Sequence, residues 1–274
     1  MPEAPDLFVV RSFLEPKLNG RTITAAAERK PLVLRNMTGR KFTEDITGRR
    51  FSLVGRKGKL LFFGLGPERL LVVSPMLTGV LRYCSPGDRM EASAIITLDL
   101  GDGSQLRYLD QKRMGQVYYL PPKLREQIVR LENQGPDVID EPLGFEQFIA
   151  ALKPFRGEVK GILTRGQAVS GIGNAYADEI LFSAGISPFR KKSRLSTDEL
   201  KRLHTAVHEV PLDAVRVLEK RVGANIHKKV RDFLKVHGKG GEPCPVCGSR
   251  ISAITANRRE TNFCRKCQPG TMFD

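Results

Sequence analysis

Apolar positions along the chain follow two different periods. From Asp6 to Leu14 they lie on one helical face, and Lys17-Leu18-Asn19-Gly20 stops that helix. Short β-type runs follow at Arg21 to Thr24, Leu32 to Leu34, Phe51 to Val54, Leu60 to Phe63 and Leu70 to Val73. Two more, Ala94 to Leu100 and Gln105 to Leu109, flank a Gly-Asp-Gly hairpin signal at 101–103. Runs so short, separated by turn residues, predict an antiparallel sandwich or barrel. A helix is expected from Pro122 to Gly135, and the Pro-, Gly- and acid-rich GPDVIDEPLG at 135–144 reads as a linker. Beyond it the period becomes helical, at Phe145 to Leu152, less regularly at Glu158 to Val169, and at Asn174 to Ala184 before Gly185. Ser196-Thr197-Asp198-Glu199 is a capping box that opens a further helix, which Pro211 is expected to kink or divide. Repeats and low-complexity tracts are absent.

Length and charge change this picture. A chain of 274 residues suits two modest domains. No apolar run is long enough to cross a membrane and no secretory signal pattern opens the chain, so a cytoplasmic protein is expected. The 45 Lys and Arg against 30 Asp and Glu leave a net charge of +15, which favours a polyanionic partner through counterion release. From Arg190 to Lys239 there are 14 basic and 6 acidic residues, so the excess is concentrated in the helical half.

Four of the five cysteines sit in two pairs near the C-terminus, CPVC at 244–247 and CRKC at 264–267. Each CxxC turn supplies one edge of a tetrahedron, so Cys244, Cys247, Cys264 and Cys267 make a closed structural zinc site with no open position for chemistry. The alternative, paired redox dithiols, lacks the βαβ context it would need. The intervening SRISAITANRRETNF reads as a hairpin with Asn257, Arg258 and Arg259 at its tip, and adjacent arginines there suit phosphate or base contacts. Cys84, alone in apolar surroundings, reads as an inert core or strand residue. Between two helical stretches, SGIGNAYADEI at 170–180 sets Gly171 and Gly173 before Asn174. Two glycines permit positive φ and close backbone approach, and the helix that follows offers its N-terminus to an anion.

Four separated stretches together carry a resemblance: PEAP at 2–5, GRKGK at 55–59, GIGNAYADEILFSAGISP at 171–188, and CPVC with RRETNFCRKCQ to 268. In this order they resemble the formamidopyrimidine-DNA glycosylase and endonuclease VIII family of base-excision repair enzymes. The resemblance implies an α+β multidomain fold. It comprises an N-terminal antiparallel β-sandwich flanked by helices at 1–134, a linker at 135–144, a helix–two-turn–helix module at 145–240 and a four-cysteine zinc ribbon at 241–274, with DNA in the cleft between the two halves. It implies damaged double-stranded DNA as partner, one structural zinc ion and a monomer acting near the nucleoid if bacterial. Pro2, exposed as a terminus once Met1 is removed, would be the nucleophile of a bifunctional glycosylase and abasic-site lyase. Glu3 would be the acid/base. Lys59 matches the lysine of a phosphate-contacting loop, Lys160 and Asn174 match phosphate-binding positions of the helical module, and Arg259 matches the arginine of the zinc hairpin. The side chains that fill the space of the flipped base would come from Leu77 or Met76, with Lys112 and Met114.

Some positions depart from the family pattern. Asp6 stands where glutamate is common, Ser74 where histidine is common, and the segment 221–244 is short and basic, which favours endonuclease VIII-like substrates such as oxidised pyrimidines, hydantoins or abasic sites. Two other functions fit part of the sequence. A lesion-binding protein of the same fold without chemistry would keep every motif except the need for Pro2. A zinc-ribbon protein of RNA or the ribosome would match the charge but leaves PEAP unexplained.

Overall fold

The computed structural model describes residues 1–128, 131, 133–256 and 259–270. Packing divides the chain into two units, Met1–Glu132 with Val217–Lys229, and Asn133–Arg216 with Val230–Asp274.

In the first unit, Pro5 stands in the opening turn of α1 (Ala4–Leu18), where its missing N–H costs no hydrogen bond. Leu7, Val10, Leu14 and Leu18 form one buried stripe along that helix. Then come β1 (Ile23–Glu28), β2 (Leu34–Asn36), α2 (Phe42–Ile46), β3 (Phe51–Lys57), β4 (Leu60–Leu65), β5 (Arg69–Ser74), β6 (Gly79–Cys84), β7 (Ala94–Leu100), β8 (Gln105–Asp110) and β9 (Gln116–Leu120). They form a four-stranded sheet in the order β1-β7-β8-β6 and a five-stranded sheet in the order β2-β9-β5-β4-β3. All pairings are antiparallel except β2, which runs parallel to β9. Every residue of β4 and all but the first of β5 are buried, as in strands covered on both faces. Helix α1 packs over β3 and β4.

Several elements differ from the sequence expectation. The alanine-rich β1 extends to Glu28 because Ala26, Ala27 and Glu28 pair with Leu98, Thr97 and Ile96 of β7, so the partner strand outweighs weak local propensity. Pro31–Val33 is a 3-10 turn rather than strand. Of the helix expected from Pro122 to Gly135, only Pro122–Gln127 is helical, and as a 3-10 turn; Val129, Arg130 and Glu132 lie outside the described residues. Strands β6 and β9 and the five-residue α2 carry no strong pattern of their own and are fixed by what they pair with or pack on.

The clearest example is α2. Its Asp45 accepts hydrogen bonds from Arg69 Nε on β5 at 2.7 Å, from Tyr119 Oη on β9 at 2.7 Å and from Arg49 Nη2 at 3.1 Å. Phe42 adds an edge-to-face contact with the Tyr119 ring at 5.2 Å. A buried carboxylate thus pins a helix too short to stand alone.

The second unit is built on α3 (Phe145–Leu152), α4 (Val159–Arg165), α5 (Asn174–Ala184), α6 (Thr197–Val222) and the hairpin β10 (Ser252–Ala256) and β11 (Arg259–Phe263). Gly166 and Gly185 end α4 and α5 with φ of +80° and +67°. The capping box at α6 is made in both directions, Ser196 N–H to Glu199 Oε2 at 2.8 Å and Glu199 N–H to Ser196 Oγ at 3.2 Å. Pro211 does not divide α6: it is buried mid-helix, and the apolar face Leu203, Val207, Ala214 and Leu218 carries the helix through. Residues 135–144 are tied into this unit, with Gly135 N–H donating to the Gly166 carbonyl at 3.0 Å and Val138 N–H to Ser170 at 3.1 Å. A side chain at Gly135 would strike the backbone of Gln167 and Ala168. The stretch 145–240, read as one module, is interrupted where Val217–Lys229 packs with the first unit.

Asp45 gives a test of how the first unit is held. Burial alone would raise its pKa, but Arg69, Tyr119 and Arg49 outweigh it and hold the carboxyl well below the usual range. The folded state then gains stability from its ionisation above the unfolded pKa of about 3.9, and loses it as pH falls below that value. Asp45→Asn is expected to destabilise the protein by about 3 kcal/mol at neutral pH, since two arginines lose a buried partner. Urea denaturation should show the gap between the two proteins narrowing as pH falls below about 4.

Candidate functional site

Pro2 and Glu3 are both buried at the head of α1. Glu3 is the N-cap residue, with extended φ and ψ of −117° and −178°, and its carbonyl accepts the Leu7 N–H at 3.1 Å. Its own N–H donates to Asp6 Oδ2 at 2.7 Å. The departure at Asp6 therefore has a use: the shorter carboxylate reaches back one turn and fixes the backbone beside Pro2. Pro2 and Asp6 open onto a cavity walled by aliphatic residues of α1, β4, β5 and β6, and by Leu218, Val222 and Ile226 from the returning segment. While Met1 is attached, the Pro2 nitrogen is an amide; removing Met1 turns it into a secondary amine at the edge of an apolar cavity.

Lys59 sits elsewhere in this unit, at the second position of the two-residue turn between β3 and β4, whose closing pair is Lys57 and Leu60. Gly58 takes φ +56° in that turn and its carbonyl accepts Arg56 Nη1 at 3.0 Å.

Two loops of the first unit are joined through one acid. Asp110, buried at the end of β8, accepts the Thr78 hydroxyl on one oxygen and the Gly115 N–H at 2.7 Å on the other. Thr78 Oγ1 in turn accepts the Lys112 N–H at 3.0 Å. Met76 and Leu77 are thereby locked to the loop carrying Lys112 and Met114. Leu77 and Met114 are 41% and 46% exposed, large apolar side chains held out from the protein on a braced frame. Met76 adopts φ +53°, a left-handed conformation rare for its type. Gly79 and Gly115 abut the Tyr108 hydroxyl so closely that a side chain on either would collide with it.

In the second unit, the glycine hairpin differs in part from expectation. Gly171 takes φ +98°, while Gly173 is extended at φ −120° and serves as N-cap of α5. Asn174 directs its Nδ2 to the Glu260 carbonyl of β11 at 2.7 Å. Lys160 is buried, with its ammonium 2.7 Å from Asp178 Oδ1 and 2.7 Å from Thr261 Oγ1. Two of its three donors thus serve as a strut between α4, α5 and β11.

The larger part of that network was not signalled as a site by the sequence. Asp178 Oδ2 also accepts from the Asn262 N–H at 3.2 Å and lies 2.7 Å from His237 Nδ1. Glu179, equally buried, accepts the N–H groups of Lys235, Val236 and His237, each at 2.8 Å. The available signal was two consecutive acids in a helix whose neighbours are mostly apolar, a pattern that calls for buried partners.

The four cysteines converge. Their sulfurs all lie within 4.8 Å of one another, with Cys244 to Cys267 at 3.8 Å and Cys247 to Cys264 at 3.5 Å, and none is in a disulfide. A zinc tetrahedron with bonds of about 2.3 Å has edges of roughly 3.8 Å, so the set fits one ion. Phe182, Val236 and Ile251 pack against the sulfurs. Gln268 bonds the Cys264 N–H at 3.0 Å and the Ile186 carbonyl at 2.8 Å, anchoring the second turn of the pair. Arg258 lies outside the described residues; Arg259 opens β11, and its side chain is likewise outside them.

Three family models match the chain in succession: the formamidopyrimidine-DNA glycosylase N-terminal domain over residues 1–117, the formamidopyrimidine-DNA glycosylase H2TH domain over 134–226, and a zinc finger found in FPG and IleRS over 241–270. The formamidopyrimidine-DNA glycosylase of Symbiobacterium thermophilum is 34% identical over 98% of this chain and 90% of its own length. The chain belongs to the formamidopyrimidine-DNA glycosylase family. A second relative of that name, from Desulforamulus reducens, is 32% identical over 98% of this chain and 99% of its own. The solved complex between Lactococcus lactis Fpg and an abasic site containing DNA is similar at a TM-score of 0.88 and 26% identity, over 98% of this chain and all of that one. Membership in this family and the convergent thiols together give the chain one structural zinc ion on Cys244, Cys247, Cys264 and Cys267.

A ribbon this small depends on its metal for folding. Cys264→Ser, or treatment with a strong chelator, is expected to release about one zinc per chain, read by a chromogenic zinc indicator. The 252–263 hairpin should lose its amide hydrogen-exchange protection, while strands of the first unit keep theirs.

Proposed function

We propose that this protein is a bifunctional DNA glycosylase and abasic-site lyase of base-excision repair, with Pro2 as its nucleophile. The observation that carries the reading is Pro2 at the head of α1, opening onto an apolar cavity in a chain that belongs to this glycosylase family. An N-terminal amine titrates near about 8, far below a lysine at about 10.4, so a usable fraction is unprotonated at neutral pH. It attacks C1′ of a nucleotide turned out of the stack. The bond from C1′ to the base breaks with its electron pair leaving on the base, and the opened sugar remains attached as an iminium. Loss of the proton next to that iminium expels the 3′ phosphate, a second elimination expels the 5′ phosphate, and water hydrolyses the iminium to free the amine. Glu3, at the positively polarised end of α1, is the acid and base for ring opening and for these proton transfers.

The other groups hold DNA. Lys59, Asn174, the remaining donor of Lys160, the amides after Gly171 and Gly173, and Arg258 and Arg259 of the zinc hairpin contact phosphates. Leu77 or Met76, with Lys112 and Met114, enters the gap left by the turned-out nucleotide. The relatives are named for formamidopyrimidine lesions; the short segment after α6 supports hydantoins and oxidised pyrimidines as further substrates. No helix among the described residues is long and apolar enough to cross a membrane. The net charge of +15 fits DNA as the partner, and we place the protein on it as a monomer, in the cytoplasm and at the nucleoid if bacterial.

Borohydride trapping on a duplex with one abasic site tests the reading. Protein with Met1 removed should form a covalent adduct, Pro2→Gly, which leaves a primary amine in place of the secondary one, should form much less while still binding the duplex, and Glu3→Gln should slow base release by roughly 10²–10⁴-fold. A processed protein that binds but never cross-links would be a lesion-binding protein instead.

A further inference from the structure

Strands β6 and β8 pair so that Gly79 stands opposite Asp110, and from that pair two loops leave the sheet, 75–78 before β6 and 111–115 after β8. Both loops follow one design. Met76 takes φ +53° and Arg113 takes φ +52°, and the residue directly after each, Leu77 or Met114, holds a large apolar side chain out to solvent. Left-handed backbone is costly for side chains of this size and persists where the surroundings dictate it. A polar latch between the loops supplies that constraint. The buried Asp110 carboxyl receives the Thr78 hydroxyl on Oδ1 and the Gly115 N–H on Oδ2, and Thr78 Oγ1 receives the Lys112 N–H. One hydroxyl and one carboxyl therefore join the residue after Leu77 to the two residues that flank Arg113 and Met114. Around them, Lys229 Nζ holds the Leu77 carbonyl at 3.1 Å, and the Gly79 N–H closes its turn onto the Pro75 carbonyl at 2.8 Å.

Lys112, Arg113 and Lys229 are all exposed beside these apolar side chains. Apolar tips set among cations suit stacked bases that lie between phosphates. A side chain that parts two stacked bases works against their stacking, and a loop free to swing would yield before the bases do. We propose that Thr78 and Asp110 are positioning residues whose latch makes the two loops one rigid body, so that Leu77 and Met114 enter the duplex together and keep the emptied place filled while the nucleotide is out. Both act through the loops and not by touching DNA, and their role rests on the reading of Leu77 and Met114 as side chains that fill the gap.

The experiment uses the full-length protein with Met1 removed and a duplex carrying one tetrahydrofuran abasic analogue, which cannot open to an aldehyde and so cannot form an iminium. A 2-aminopurine in the facing strand, opposite the analogue, gains fluorescence as its stacking is broken. Thr78→Val keeps the shape of the side chain but leaves Asp110 Oδ1 and the Lys112 N–H without their partner. It is expected to lower the fluorescence gain at saturating protein by about half, and kcat/KM for cleavage at a natural abasic site by about tenfold, the size of one hydrogen bond. Affinity for undamaged duplex, which rests on phosphate contacts, should not change. Thr78→Ser, which keeps the hydroxyl, should recover most of both losses, and Asp110→Asn, which sets an amide where two donors need acceptors, should repeat them. The inference is overturned if Thr78→Val and Asp110→Asn both stay within about twofold of the unsubstituted protein in kcat/KM with the fluorescence gain intact. It is equally overturned if Thr78→Ser fails as fully as Thr78→Val, or if undamaged duplex is lost in step, since either makes these residues matter for packing alone. No fluorescence gain with the unsubstituted protein brings down the gap-filling reading and the inference with it. Absence of a borohydride adduct brings down the glycosylase reading instead, and the fluorescence still decides the latch.

Discussion

The second unit depends on two adjacent carboxylates. Asp178 and Glu179 lie inside α5, where a helix surrounded by apolar neighbours would ordinarily carry none. Between them they take up Lys160, His237 and four backbone N–H groups from residues 235–237 and 262. Each contact alone is a modest hydrogen bond. In a buried setting the cost of leaving any one unmade is larger than its gain when made, so the set specifies one arrangement of α4, α5 and the ribbon. The metal closes the ribbon on itself, and the acids decide how the closed ribbon sits on α5. Lys160 is held by Asp178 and Thr261 and Asn174 separately by the Glu260 carbonyl, so each has only part of its donors left for the proposed phosphate contacts.

The first unit uses the same device at smaller scale. Asp45 orients α2 against two strands, Asp110 joins two loops, and Asp6 ties down the residue after Pro2. In each case a short acid reaches backbone or arginine donors within a few ångströms and holds a segment that has too few residues to hold itself. A mobile chain end would present Pro2 in many orientations; an end capped by its own helix presents it in few, which is the condition that the proposed attack needs.

Much of this was legible from the residues. Helices α3 and α5 begin and end where their apolar period begins and ends, and the zinc ligands followed from spacing alone, because metal geometry admits few spacings. What was not legible depends on partners distant in sequence. The alanines of β1 become strand through β7, β6 through β8, and Pro211 is tolerated because the buried face of α6 extends on both sides of it. The same is true at the site. Asp178 and Glu179 show in the sequence only as two acids among mostly apolar neighbours, and their backbone donors lie 56 to 84 positions away. The return of Val217–Lys229 to the first unit, which brings Leu218, Val222 and Ile226 to the cavity beside Pro2, is announced by no local pattern.

The capped start of α1 also imposes an order on the life of the chain. Pro2 and Glu3 are buried and Met1 is partly so. The bond between Met1 and Pro2, whose cleavage the proposed nucleophile requires, is more accessible to a trimming enzyme while the first residues are extended than once α1 has closed on Asp6. An extension fused to the N-terminus would leave the Pro2 nitrogen an amide, so the proposed chemistry is sensitive to how the chain is tagged.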